Sequence, residues 1–271
     1  MVEITDKEFT QLAKYIKDNY GINLKEEKKM LVIGRLHTVL AENNFDNFSQ
    51  YYEYLISDKT GNAVNILVSK ITTNHTYFMR EKTHFDYLKE KVLPKLMTLV
   101  KDRDLRLWCA GCSSGEEAYT LAMILDQFCQ EQKLWWDKKI LATDISDKVL
   151  NIARNGIYQK EQIMPLPEGW KRDYLKRFDQ DNFIFRDKIK NEIIYRKFNL
   201  MERTFPFKKK FHVIFCRNVM IYFDMNTKNE LINKFYNGME SGGYLFIGHS
   251  ESLNGQATGF KYIMPSVYRK E

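Results

Sequence analysis

The residues best placed to do chemistry lie in Leu105-Arg106-Leu107-Trp108-Cys109-Ala110-Gly111-Cys112-Ser113-Ser114-Gly115-Glu116-Glu117, which reads as a buried strand, a tight loop of small residues and the first turn of a helix. Such a loop lets a ligand sit against bare backbone. The helical spacing of Ala118, Leu121, Ala122 and Leu125 makes it end where helix N–H groups point outward. A GxGxxG fingerprint is absent, and Glu116 and Glu117 occupy the helix start where a pyrophosphate would lie, so a ribose or a cation suits the position better. Lys139-Ile140-Leu141-Ala142-Thr143-Asp144 is a second buried strand ending in an acid, placed as the acid that hydrogen-bonds ribose hydroxyls in doubly wound sheets. Together these point to an adenosine ligand without phosphates, with S-adenosylmethionine as the leading candidate. A further site segment, Ile71-Thr72-Thr73-Asn74-His75-Thr76-Tyr77-Phe78-Met79-Arg80-Glu81, offers donors, acceptors and local turns and ends in an arginine near aromatics.

Other chemistries find less support. Cys109-x-x-Cys112 has neither a second CxxC nor paired histidines to complete a metal set, so small residues filling a tight turn explain it better, and no metal is expected. His75, His84, His212 and His249 share no ligand spacing and are read as structural. The formal charge of +7 is concentrated in residues 154–210, which hold fifteen Lys and Arg against eight Asp and Glu. This surface suits an acidic partner. No nucleic-acid motif accompanies it, so nucleic acid is not the expected partner. The start Met1-Val2-Glu3-Ile4-Thr5-Asp6-Lys7 is not a signal peptide, and no segment approaches the roughly 18 apolar residues of a membrane span, which points to the cytoplasm without membrane insertion.

The elements that must position these residues follow from hydrophobic periodicity. Residues 1–70 read as an all-helical domain. Phe9, Leu12 and Ile16 share a face up to the stop at Gly21, and a second helix from near Lys25 carries Met30, Ile33, Leu36 and Leu40 inward with Lys28, Lys29 and Arg35 outside it. Residues 71–90 link this domain to the site, and 91–271 alternate strand and helix, which predicts a mostly parallel α/β sheet with ligands at the carboxyl ends of its strands. Residues 157–196 break that rhythm and read as a small antiparallel insertion with strands at Phe183-Ile184-Phe185 and Ile193-Ile194-Tyr195. The sheet resumes through Ile194–Leu200 and Phe211–Cys216. The helix from Thr227 to Met239 is expected to stop at Gly242-Gly243, before a core strand Tyr244–Gly248 and an edge at 261–268.

Segments Thr72–Glu81, Gly115–Tyr119, Ala142–Ile145 and Phe215-Cys216-Arg217-Asn218-Val219-Met220-Ile221-Tyr222-Phe223-Asp224 resemble, in order and spacing, the chemotaxis receptor methyltransferase family, CheR. The likeness covers nearly the whole chain, and the last segment is its most specific part. It implies a Rossmann-like class I methyltransferase sheet with a small antiparallel β insertion, preceded by an all-helical N-terminal domain. It also implies methyl transfer from S-adenosylmethionine to glutamate side chains on the cytoplasmic helices of chemoreceptors. By this resemblance Asn74, Thr76, Arg80, Ala110, Glu116, Asp144, Asn199, Leu200, Arg217 and Asn218 surround the cofactor, with Asn199 and Leu200 at the adenine. Arg80 and Tyr222 lie nearest the reacting methyl. Lys28, Lys29 and Arg35, a sparser basic cluster than the family's, would dock the receptor, and the insertion would hold a receptor's C-terminal peptide. A methyltransferase for another signalling protein and a non-catalytic cofactor-binding or docking module are the alternatives.

The chemistry agrees with the residues present. A glutamate carboxylate has an unperturbed pKa near 4.3, so it is already a nucleophile at neutral pH and requires no general base. What remains is alignment, with Arg80 able to anchor the acid and Tyr222 to orient it. Duller roles exist for each: Tyr222 as a core aromatic, Asp144 as a cap of the next helix, and Glu117 as a first-turn residue favoured by the helix dipole.

Overall fold

In the computed structural model, residues 2–72, 74–253 and 258–271 are described; Thr73 of the site segment lies outside them. Four helices form the N-terminal layer: α1 (Asp6–Tyr20), α2 (Lys29–Glu42), α3 (Phe48–Ser57) and α4 (Asn62–Ile71). A capping box between Thr5 and Glu8 starts α1, and Gly21, left-handed at φ 70°, ends it by donating to the Lys17 carbonyl. One turn of 3₁₀ helix, Glu26–Lys28, precedes α2, so that helix begins later than its periodicity suggests. Its inner face is Val32, Ile33, Leu36, Val39 and Leu40, while Met30 is 72% exposed. The expected place of Met30 in the core is corrected because the helix is still a 3₁₀ turn just before it, which shifts the face by about a residue.

The larger layer is one sheet of β1 (Leu107–Ala110), β2 (Ile140–Asp144), β6 (Ile193–Lys197), β7 (Phe211–Cys216), β8 (Met239–Ile247), β9 (Phe260–Met264) and β10 (Val267–Lys270), in the order β6-β2-β1-β7-β8-β10-β9. Pairing is parallel from β6 through β8, and β10 runs antiparallel between β8 and β9. The central strands are buried on both faces, as a parallel sheet covered by helices requires. One face packs on the helical run 82–99 and α7 (Glu116–Glu131) by way of α5 (Lys82–Tyr87) and α6 (Leu93–Leu99). On the other face, Trp108 is enclosed by Phe198, Phe205, Phe207, Phe211 and Phe235, the last from α11 (Met225–Asn237).

The insertion is a separate three-stranded antiparallel sheet of β3 (Ile157–Gln159), β4 (Leu175–Arg177) and β5 (Asn182–Phe185), with β5 in the middle. It follows α8 (Asp147–Asn155), holds α9 (Glu168–Tyr174) and is followed by α10 (Asp187–Lys190). Ile193-Ile194-Tyr195 does not pair with Phe183-Ile184-Phe185 as a hairpin; it joins β2 in the main sheet, and Leu175–Arg177 supplies the missing partner. The glycine pair is also reassigned. The last full helix ends at Asn237, and Gly242-Gly243 lie inside β8, where a Cβ on Gly243 would come within 2.9 Å of the His212 carbonyl oxygen. Close backbone approach at the register shift between Phe211 and Val213, not helix termination, accounts for that glycine.

Candidate active site

β1 pairs with β2 on one side and β7 on the other, so its carboxyl end is where the strand order reverses, the position at which open α/β sheets bind ligands. A cavity of about 260 Å³ lies there, just below the usual range for small-molecule sites. Gly111 forms part of its floor at φ 89°; a Cβ on it would stand 2.4 Å from Val219 Cγ2, so only glycine leaves the backbone bare at this point. The amides of Gly111 and Cys112 both donate to the Thr143 carbonyl, which ties the loop to β2.

Asn74, Thr76, Arg80, Asp144, Asn199, Leu200, Arg217, Asn218 and Tyr222 all line this cavity, although they come from separate parts of the chain. Asp144 Oδ2 accepts from the Ser113 amide at 2.9 Å and Oδ1 from the Ser146 amide at 3.0 Å. Burial raises its pKa, while these backbone donors oppose the rise. Asn199 donates to the Asn19 carbonyl at the end of α1 and accepts from the Met201 amide, so the helical layer is joined to the cavity wall. Arg80 Nη1 donates to the His75 carbonyl at 2.7 Å. The segment carrying Tyr222 is gripped from the helical layer, with Ile22 bridged to Phe223 and the Asn23 amide donating to the Tyr222 carbonyl at 2.8 Å.

Two expected cofactor residues are not at the cavity wall. Ala110 is 1% exposed and packs among Trp108 and Ile214 on the face opposite α7. Glu116 is 2% exposed and takes the Ser114 hydroxyl, and burial raises its pKa. Glu117 lines the cavity in its place. Successive helical residues point about 100° apart, so only one of the pair can face the ends of the strands. Glu117 Oε2 accepts from Arg217 Nη1 at 2.7 Å, and its Oε1 from the Cys109 thiol at 3.1 Å. Cys109 and Cys112 are buried thiols whose pKa values burial pushes well up, which makes them packing groups and not nucleophiles.

Arg217, with a side chain 2% exposed, bridges Glu117 and Glu81, lies over the Phe85 ring and donates to the Arg80 carbonyl. Glu251, which sequence reasoning passed over, is buried and accepts from the amides of Asn218, Ile221 and Gly248. It therefore holds the turn between β7 and Tyr222. Met79, Glu81, Ser113 and Asn218, all non-glycine, have left-handed φ around the cavity, a concentration of strain typical of functional sites. Neither the Glu251 nor the Glu81 partnership has a local sequence signal, since each spans loops far apart in the chain.

The basic residues proposed for docking are dispersed. Lys28 is exposed, Lys29 pairs with Asp6, and Arg35 donates to the Lys70 and Ile71 carbonyls at the end of α4. A patch of three outward charges is thus not what these residues form, because the C-terminal carbonyls of α4 attract the Arg35 guanidinium. No helix among the described residues is long and apolar enough to cross a membrane.

A five-stranded parallel core with an antiparallel β10 and a ligand cavity at the strand-order reversal defines a Rossmann-like methyltransferase fold. Residues 74–268 match the family described as CheR methyltransferase, SAM binding domain, and residues 7–72 match its all-alpha domain. The chain belongs to the CheR methyltransferase family, whose fold comprises these two parts. A chemotaxis protein methyltransferase of Borreliella burgdorferi is 46% identical over 99% of this chain and 96% of its own length. A probable chemotaxis protein methyltransferase of Rhizobium etli is 36% identical over 94% and 99%, and the Cher2 chemotaxis methyltransferase of Pseudomonas putida 29% over 96% and 95%.

Proposed function

We propose that the protein transfers a methyl group from S-adenosylmethionine to glutamate side chains of chemoreceptors in the cytoplasm, giving methyl esters in chemotactic adaptation. One observation carries this reading: Arg80 and Tyr222 line the same cavity as Asp144 and the bare backbone of Gly111. The residues suit an adenosyl methionine ligand, since the cavity combines an acid at the end of β2 with an apolar wall from Leu200 and Phe198, and its two arginines, Arg80 and Arg217, are engaged by the His75 carbonyl and by Glu117.

When bound, S-adenosylmethionine supplies an electrophilic methyl on a sulfonium. The chain's task is to align a substrate carboxylate with it at about 3–3.5 Å and to exclude water. Arg80 anchors the carboxylate and Tyr222 orients it by hydrogen bond, with no proton transferred by the protein because the acid arrives ionised. Transfer would neutralise a cation and an anion together, so a fairly dry cavity would not oppose it. Arg217 holds the backbone of Arg80, and Glu251 holds the turn leading to Tyr222, so both aligning groups rest on buried supports.

In this reading residues 1–70 dock the receptor, 71–90 complete the cofactor site and 91–271 carry out transfer. The insertion, whose outer strands β3 and β4 each pair among the described residues with β5 alone, receives a receptor's C-terminal peptide by strand addition. The test is incubation with methyl-labelled S-adenosylmethionine and receptor cytoplasmic fragments. Base-labile label on glutamate is expected. Cofactor binding without transfer to any fragment overturns the assignment in favour of a binding module, and label on a different signalling protein alone redirects it to another pathway.

A further inference from the structure

Beside the cavity, Glu81 and His84, one helical turn apart, converge with His249 from far along the chain. Glu81 Oε2 lies 3.5 Å from His84 Nδ1 and 4.0 Å from His249 Nε2, and one ligand atom from each of the three fits within 4.8 Å of the others. A tetrahedral ion with bonds of about 2.0–2.1 Å separates its ligand atoms by about 3.4 Å, so only small side-chain adjustments are required. His84 is wholly buried, and its ring nitrogens make no hydrogen bond of good geometry, their polar neighbours being Glu81 Oε2 at 3.5 Å from Nδ1 and the Pro265 backbone. A buried imidazole whose polar contacts are this loose leaves a ring nitrogen able to take a further ligand.

The electrostatics permit a cation. Arg217 stands close to Glu81 but is also paired with Glu117, so these three groups together carry one net negative charge. His249, with a side chain 49% exposed, gives the cluster an opening to solvent through which an ion can enter.

We propose that Glu81, His84 and His249 form a site for a divalent borderline-soft transition metal, zinc above all, with a fourth position open to water. Two imidazoles and one carboxylate are a zinc donor set, and hard cations such as magnesium or calcium would demand more oxygen ligands than the cluster offers. The oxygen the ion would take, Glu81 Oε2, is the one that Arg217 contacts, so occupancy loosens Arg217 from Glu81 and couples the metal to the cavity through the backbone of Arg80.

The test uses the full chain stripped with chelator and titrated with zinc chloride by calorimetry, with cobalt(II) as a spectroscopic substitute. One equivalent of zinc is expected, with visible cobalt bands of a low-coordinate site. His249→Ala and Glu81→Gln should each weaken binding at least tenfold; His249 lies at the rim, so that variant should keep its melting temperature. His37→Ala, remote from the cluster, should bind as the parent does. No zinc uptake by the parent, or parent-like affinity in both His249→Ala and Glu81→Gln, overturns the site. Zinc binding is read without methyl transfer, so this result stands apart from the proposed activity.

Discussion

Arg217 Nη1 donates to Glu117 Oε2 at 2.7 Å from beneath the cavity, where the guanidinium is almost wholly shielded from water. Removing one partner of such a pair leaves an uncompensated buried charge, which costs about 3–5 kcal/mol. Arg217→Met should therefore destabilise the fold by roughly that amount in urea unfolding, and Arg217→Lys, which keeps the charge but loses the fork to Glu81 and the Arg80 carbonyl, by less. A midpoint unchanged in Arg217→Met would contradict the pairing.

Glu116 and Glu117 separate structure from ligand contact. Glu117→Gln should lower S-adenosylmethionine affinity by about tenfold, equivalent to about 1.4 kcal/mol, because the cavity wall and the Arg217 pairing are both altered. Glu116→Gln, inside the protein and bonded to Ser114, should leave affinity near that of the parent. Calorimetric titration of both variants with the donor decides the matter.

Alignment and cofactor binding should also separate. Arg80→Ala and Tyr222→Phe are expected to reduce kcat by about 10- to 100-fold while changing donor affinity far less, the outcome for groups that position the acid. Equal loss of affinity and turnover in either variant would remove its assigned role.

Gly111→Ala places a methyl 2.4 Å from Val219 Cγ2 on a backbone at φ 89°. The expected cost is about 1–3 kcal/mol, together with a loss of donor binding. Adding Val219→Ala should restore only part of the stability, since it removes the collision but not the left-handed strain. Full recovery in thermal melts would show that the contact alone matters.

Acid sensitivity should reach the joint between the two layers. Asp224 pairs with Lys17 at 2.7 Å and caps α11 through the Thr227 amide, and the Lys17 hydrogen bond, chiefly, holds its pKa at about 2. A folded-state pKa below the unfolded value of about 3.9 means that this stabilisation is complete above pH 4 and disappears as the pH falls through about 2. Asp224→Ala should cost about 1 kcal/mol at pH 7, as loss of a cap does, and the variant and parent should converge near pH 2. Unfolding free energies followed across that window test the sign.

The sequence by itself determined the class of fold and the segments that meet at the cavity. Hydrophobic periodicity marks α1 and the buried strands β1, β2 and β7, and a ligand site at the carboxyl ends of parallel strands follows from topology once those elements are recognised. Gly21 and Gly156 are legible as left-handed caps because their conformation is a local property, and both have positive φ. Other choices are not local. Whether Glu116 or Glu117 faces the cavity depends on the rotation of α7 about its axis, set by packing against the sheet. The partner of Phe183-Ile184-Phe185 depends on which short strand reaches it first in space. The supports of Arg80 and Tyr222, Arg217 and Glu251, span more than thirty residues each, and the meeting of Glu81 and His84 with His249 spans far more. Such contacts exist only when the chain closes on itself, because burial, not neighbourhood in sequence, makes a charged group find its partner.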